Sequence, residues 1–302
     1  MPAKSEEIEW PTLFFLLLTY VAWIIGTLMW GQSAFFSILL TGVAIAQYSS
    51  LQHEALHGHP FRNEALNEAL VFPALAIFVP YRRFRDTHLQ HHSDPSLTDP
   101  YDDPESNYWD PQVWSRLPVP IRLILQGNNT LLGRICLGPF IGTWVFLAKD
   151  FALARKGDKA VLEAWALNLL GLVPVLIWLR VVGMPVWAYL MAIYTGFGLL
   201  KIRTYLEHRA HETCRARTVI IEDRGPLSLL FLNNNFHSVH HMHPKVAWYK
   251  LPALYRDRKE HYQKRNEGYV YASYGQVFRQ YLTRSKDPVP HPVWPVRKDG
   301  RS

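Results

Sequence analysis

The chain has 302 residues, 49% of them hydrophobic, with a formal net charge of +7, two cysteines and fourteen histidines. Two cysteines outside any Cys-x-x-Cys pair exclude a disulfide framework and a thiolate metal site, and they fit a reducing compartment. The positive charge comes without a Gly-rich phosphate loop or a nucleic-acid recognition motif, so no nucleic-acid partner is expected.

A mean hydropathy near zero, −0.07, averages long apolar runs with polar, His-rich stretches. Residues 12–30 carry no charge and are long enough, at about 1.5 Å per residue, to cross a hydrocarbon core of roughly 30 Å. The preceding segment is acidic rather than basic and no small-residue cleavage site follows, so a membrane span is expected rather than a signal peptide. A turn at Gly31 and Gln32 leads into residues 33–51, also uncharged, and the pair forms a hairpin that returns to its starting side. Residues 69–79 and 131–148 are apolar but short, or interrupted by Gly, Pro and Arg134, and are expected as interfacial or partly re-entrant segments. Between them, repeated Asp-Pro steps over residues 93–111 disfavour helix and predict an irregular loop. Residues 161–179, with a kink at Pro174, and 183–200 predict a second hairpin.

Arg82, Arg83, Arg85, Arg155, Lys156, Lys201 and Arg203 fall on one side of the two hairpins, which the positive-inside rule makes cytoplasmic. The expected fold is all-α: one membrane domain over residues 1–302, with about four transmembrane helices in two hairpins. A His-rich cytoplasmic cap is expected from residues 52–160 and 201–302.

The histidines are clustered. His53 and His57 lie in HEALH, His88, His91 and His92 in HLQHH, His237, His240 and His241 in HSVHH, and His208 and His211 follow the last span. Spacings of three and four put such rings on one helix face. Alone, HEALH matches a zinc-hydrolase pattern with Glu54 as base. Eight or nine imidazoles are too many for one ion, however, and two ions with four or five nitrogen ligands each would use them all. Without a flavin or nucleotide motif, oxygen activation by iron is expected, with two zinc ions in a hydrolase as the rival and metal storage or sensing as a non-enzymatic one.

Together these boxes resemble the integral-membrane fatty-acid desaturase superfamily, which also holds hydroxylases and carotenoid ketolases. Phe84-Arg85-x-x-His88-x-x-His91-His92 is similar to its WRxxHxxHH box with Phe for Trp. Asp102-Asp103-Pro104-Glu105 resembles its acidic patch, and His240-His241-x-x-Pro244 with Trp248-Tyr249-x-Leu251-Pro252 resembles the segment after its third box. The resemblance covers roughly residues 10–260 and implies a centre of two iron ions, with O2 as co-substrate, acting on a lipid or other long apolar substrate. It implies as ligands His53, His57, His88, His91, His92, His237, His240 and His241, with His208, rivalled by His211, as the ninth.

Glu54, Glu207, Asp94, Asp102, Asp103, Glu105 and one of Asn233, Asn234 and Asn235 are candidates for orienting the ligand rings, and His59, His243, His261 and His291 are expected to stand aside. With no His-Pro-Gly-Gly haem signature, electrons are expected from a separate ferredoxin- or cytochrome-type donor. The resemblance implies a desaturase first, and a hydroxylase or ketolase second.

Overall fold

The computed structural model describes residues 8–93 and 97–294. In chain order the helices are α1 (Trp10–Leu28), α2 (Ala34–Leu56), α3 (Glu64–Leu70), α4 (Tyr81–Ser93), α5 (Pro111–Arg116), α6 (Val119–Asn128), α7 (Leu131–Arg155), α8 (Lys159–Val182) and α9 (Val186–Thr204). Shorter helices follow: α10 (Pro226–Leu230), α11 (His237–Met242), α12 (Leu251–Asp257), α13 (Lys259–Arg265) and α14 (Tyr274–Tyr281). Two strands, β1 (Ile220–Ile221) and β2 (Val270–Tyr271), pair in parallel, Ile220 opposite Val270 and Ile221 opposite Tyr271.

Local signals set the ends of the long helices. Thr130 Oγ1 accepts the Gly133 N–H at 3.0 Å to start α7, and Asp158 Oδ1 accepts the Val161 N–H at 3.1 Å to start α8. Gly183, at φ 73°, ends α8 in the left-handed conformation and turns the chain into α9.

The core is the crossing of α2 and α9. A Cβ on Gly196 would stand 2.7 Å from the Gly42 carbonyl oxygen, and one on Gly42 would stand 2.9 Å from the Ala192 oxygen. The two backbones therefore touch, as small residues permit in helix pairs within lipid. Around this contact pack Ile45, Tyr48, Leu51, Tyr189 and Ile193, all buried. Gly196→Leu is expected to force the helices apart and cost about 1–3 kcal/mol or more. A lower melting temperature in detergent checks this; an unchanged melt would show that the contact is not needed.

The segment expected as re-entrant, residues 69–79, leaves α3 and runs without regular structure among α2, α8 and α9. Buried non-helical backbone must find partners within the protein. Tyr48 Oη donates to the Val71 and Pro73 carbonyls at 2.6 Å each, Tyr189 Oη to Leu75 O at 2.8 Å, and Asn168 Nδ2 to Ile77 O at 2.7 Å. The Ala74 N–H donates to Gly171 O at 3.0 Å.

Among the described residues, four helical stretches are long and apolar enough to cross a membrane: Trp10–Gly31, Ala34–Leu56, Leu131–Arg155 and Lys159–Val182. Three of them cover the first three expected spans. The fourth expected span, 183–200, forms α9, but Lys201 and Arg203 in its last turn lower its apolar character. α7 meets the same criteria of length and apolar composition, as one continuous helix where an interrupted, interfacial or partly re-entrant segment was expected. Helical periodicity explains the difference: Arg134 and Gly138 are buried on one face while Leu137, Phe140 and Trp144 are exposed on another. Both ends of α7 are tied to His-bearing parts of the chain. Leu131 packs against Tyr205, three residues before His208, and Asp150 pairs with Arg83 on the helix that carries HLQHH.

Candidate metal centre

Four short pieces of chain carry the clustered rings. His53 sits in the last turn of α2 and His57 caps it, after which Gly58, at φ 94°, takes the chain away. α4 presents His88, His91 and His92, α11 presents His237, His240 and His241, and His208 follows α9, paired with Thr218 through a backbone bridge. The nine rings form two groups, within each of which the candidate ligand atoms all lie within 4.8 Å of one another: His53, His57, His88, His92 and His240 in one, His91, His208, His237 and His241 in the other. Each HxxHH box is thus divided. α4 gives its i, i+4 pair to the first group and its middle ring to the second, and α11 does the converse. At the boundary the His92 and His241 rings stack, with centroids 4.2 Å apart.

The polarity of the rings suits a cation between them. His88 Nδ1 lies 2.7 Å from Glu105 Oε1, and His91 Nδ1 lies 2.7 Å from Asp103 Oδ1. A carboxylate only accepts, so each of these rings donates from Nδ1, which fixes its orientation. Facing inward, Nε2 atoms approach one another at 2.9 Å (His91 and His208), 3.0 Å (His88 and His92), 3.0 Å (His208 and His237), 3.0 Å (His237 and His241) and 3.1 Å (His92 and His240). The Nε2 atoms of His53 and His57 are buried without a hydrogen-bond partner. So many convergent ring nitrogens fit a metal at the centre of each group.

Burial holds the His57 ring down to about 2 and the His92 ring to about 3, and it holds His208, His237, His240 and His241 well below the usual range, with neighbouring rings adding to each depression. These rings are therefore neutral, with a lone pair free, at neutral pH. His91 differs: burial would lower it, but Glu105 and Asp103 outweigh that and raise it to about 9. The centre favours positive charge beside His91, which a metal cation supplies in place of a proton.

A sequence profile described as "Fatty acid desaturase" matches residues 28–273. The chain belongs to this family. No curated protein matches it. Membership makes the protein an oxidoreductase of the desaturase and hydroxylase type, in a family known for di-iron centres. The two groups of rings, the apolar helices and the family together describe an integral membrane enzyme.

Not every expected supporting residue of this desaturase-family chain reaches a ring. Asp103 and Glu105 do. Asp103 also accepts the Thr98 N–H at 2.8 Å through its other oxygen, which locks the carboxylate. Asp103→Asn is expected to weaken metal binding by about 10- to 100-fold, measured by competition with a chelator; unaltered affinity would show that the carboxylate does not set the ring. Glu207 stands 3.9 Å from His237 Nδ1 and is bridged to it by Asn234, whose amide donates to Glu207 at 2.9 Å and whose oxygen faces His237 at 3.2 Å.

Among the three asparagines, Asn234 is the one at a ring. Asn235, the other candidate, instead donates to the Ile221 and Asp223 carbonyls, and Asn233 to Trp248 O, so both amides brace backbone. Asp102 is exposed, its backbone N–H is bound to Asp99, and among the described residues no contact of its carboxylate with a ring is found. Asp94 lies outside the described residues. Glu54 accepts the Trp248 N–H at 3.2 Å and lies 3.5 Å from His53 Nδ1, on the side of that ring away from the inward-facing Nε2. His211 belongs to neither group and lies 3.6 Å from Glu267, and His59 pairs with Glu9 at 2.8 Å.

Beside the rings opens a cavity of about 630 Å³, a size typical of small-molecule sites, which run roughly 300–1,000 Å³. His208, Glu207 and Glu105 line one side, and α7 and the second half of α9 form a long wall. Sequence reasoning gives no site role to three of its lining residues: Arg134, an interruption in an apolar run, Lys201, whose charge speaks only to topology, and Lys286. A charge inside an apolar run is the signal that could have found the first of them.

Proposed function

We propose that the protein is an O2-dependent di-iron oxidoreductase acting on a lipid acyl chain, as a desaturase. The single observation that supports this most is the division of nine imidazoles into groups of five and four around adjoining points. His53, His57, His88, His92 and His240 would hold one iron, and His91, His208, His237 and His241 the other. When bound, the two irons supply O2 activation and cleavage of an unactivated C–H bond. Asp103 and Glu105 hold ligand rings in orientation, Asn234 positions His237, and the adjoining cavity excludes water from the acyl chain.

Electrons come from an external ferredoxin- or cytochrome-type donor. The exposed Lys245, Lys250, Arg256, Arg258 and Lys259, just past α11, give an acidic carrier a face to approach. The loop charges favour the cytoplasmic side for this face and for the rings. The zinc-hydrolase alternative draws no support from Glu54, whose carboxylate is engaged by Trp248 and His53.

Metal analysis of the purified chain after anaerobic iron loading tests the centre, with two irons expected; one zinc and no iron would sink it. Expression in a host of known lipid profile, with mass spectrometry of total lipids, tests the reaction. Loss of two hydrogens is the expected change, and gain of one oxygen would assign a hydroxylase instead.

A further inference from the structure

His208 is held differently from the other rings of its group. His91, His237 and His241 stand on helices, and the first two are fixed through their second nitrogens by Asp103 and Asn234. His208 follows α9 outside any helix, and its Nδ1 is buried without a hydrogen-bond partner. With no side chain steering the ring, the backbone around His208 must set where the ring stands.

That backbone is gripped by residues 282–291, a non-helical segment after α14 that lies beyond the residues matched by the family profile. Lys286 Nζ donates to the His208 carbonyl at 2.5 Å. Next to it, Asp287 accepts the Tyr108 hydroxyl, whose oxygen accepts the Ala210 N–H at 2.9 Å, two residues past His208. On the other side of His208, the Tyr205 hydroxyl, shared with Asn129 O, reaches Arg284 O at 3.3 Å.

The far end of the same segment serves His91. His291 is buried, with Nε2 3.1 Å from Thr98 Oγ1; the Thr98 N–H donates to one oxygen of Asp103, and the other oxygen holds His91 Nδ1. Backbone bonds fix this end, the Trp109 N–H donating to Val289 O at 3.0 Å and the His291 N–H to Trp109 O at 2.8 Å. The near end is anchored where α7 begins, by the Leu132 N–H on Leu282 O at 2.9 Å and Asn129 Nδ2 on Asp287 O at 2.5 Å. The two rings served by this one segment face each other, with Nε2 atoms 2.9 Å apart.

We propose that residues 282–291 are a strap that positions His208 and His91 for one metal, with Lys286 and His291 as its positioning residues. The proposal rests on the di-iron reading above and gives a part in it to a segment outside the profile match. Lys286 acts on the His208 backbone through a charge-assisted bond. His291, expected to stand aside, acts through Thr98 and Asp103. Neither hold needs the metal, so the strap sets the two rings before an ion arrives.

Two measurements on the full chain in detergent test it. In the metal-free protein, hydrogen exchange of the amides of residues 206–211 is expected to quicken about tenfold in Lys286→Met, as the loss of one bond to a charged donor implies, while the core amides of α2 and α9 keep the parent's rates. In competition with a chelator for ferrous iron, Lys286→Met and His291→Phe are each expected to bind about tenfold more weakly than the parent. His291→Phe keeps a ring against Tyr108 and Trp294 and removes the contact with Thr98. Unchanged exchange around His208 in Lys286→Met would overturn the strap. Faster exchange with the parent's iron affinity in both variants would overturn the positioning role. A parent chain that takes up no metal sinks the di-iron reading, and the exchange contrast alone then decides whether the strap holds His208.

Discussion

His241→Ala is expected to lower bound iron to about one per chain or fewer and to abolish lipid oxidation, while His57→Ala is expected to keep close to two. The difference comes from the unequal division of the rings. His241 belongs to the group of four, so its loss leaves three nitrogens, whereas His57 belongs to the group of five, so its loss leaves four. Four ligands are a common protein complement for a tightly held transition metal, and three leave a weaker site. His241 also stacks on His92, so its removal loosens the neighbouring group as well. Iron content by elemental analysis, after equal loading of both variants, reads the contrast directly. Equal iron in the two would mean that the rings do not divide between two ions as proposed.

Asp150→Ala is expected to cost about 3–5 kcal/mol, because it leaves the Arg83 guanidinium buried and unpaired. The pair is bidentate, with Arg83 Nε at 3.0 and 3.1 Å from the two carboxylate oxygens and Nη2 at 2.8 Å from one of them, and Trp165 Nε1 adds a third donor at 2.9 Å. One carboxylate thus joins α4, α7 and α8. A drop on the order of 10 °C in the melting temperature in detergent corresponds to that cost. The double variant Asp150→Ala with Arg83→Met removes both charges and is expected to recover part of the loss. If Asp150→Ala melts with the parent, the pair does not hold α4 to the membrane helices.

How much is legible in the sequence differs from one part of the chain to another, for physical reasons. HxxHH spacing is a local property of a helix, so the clustered rings can be read from the letters. The pairing of His91 with His208 cannot, because it depends on α9 ending beside α4. α7 escapes a reading that judges an apolar run in one dimension, where Arg134, Gly138 and Pro139 look like breaks. Wound at 3.6 residues per turn, Arg134 and Gly138 fall on the buried side. The asparagines teach the same lesson on a smaller scale: three adjacent identical residues point three ways, and only Asn234 meets a ring. Arg83 and Asp150 lie far apart in sequence, and nothing in either neighbourhood names the other.

The division of each HxxHH box between the two groups has a consequence for assembly. Neither α4 nor α11 belongs to one ion, so a metal that orders either helix also brings a ligand of the other site into place. Occupancy of the two sites is therefore expected to be cooperative, with chains holding one iron scarce beside empty and doubly loaded chains. A titration followed by native mass spectrometry, which counts the ions on each molecule, would show this as two populations with little between them.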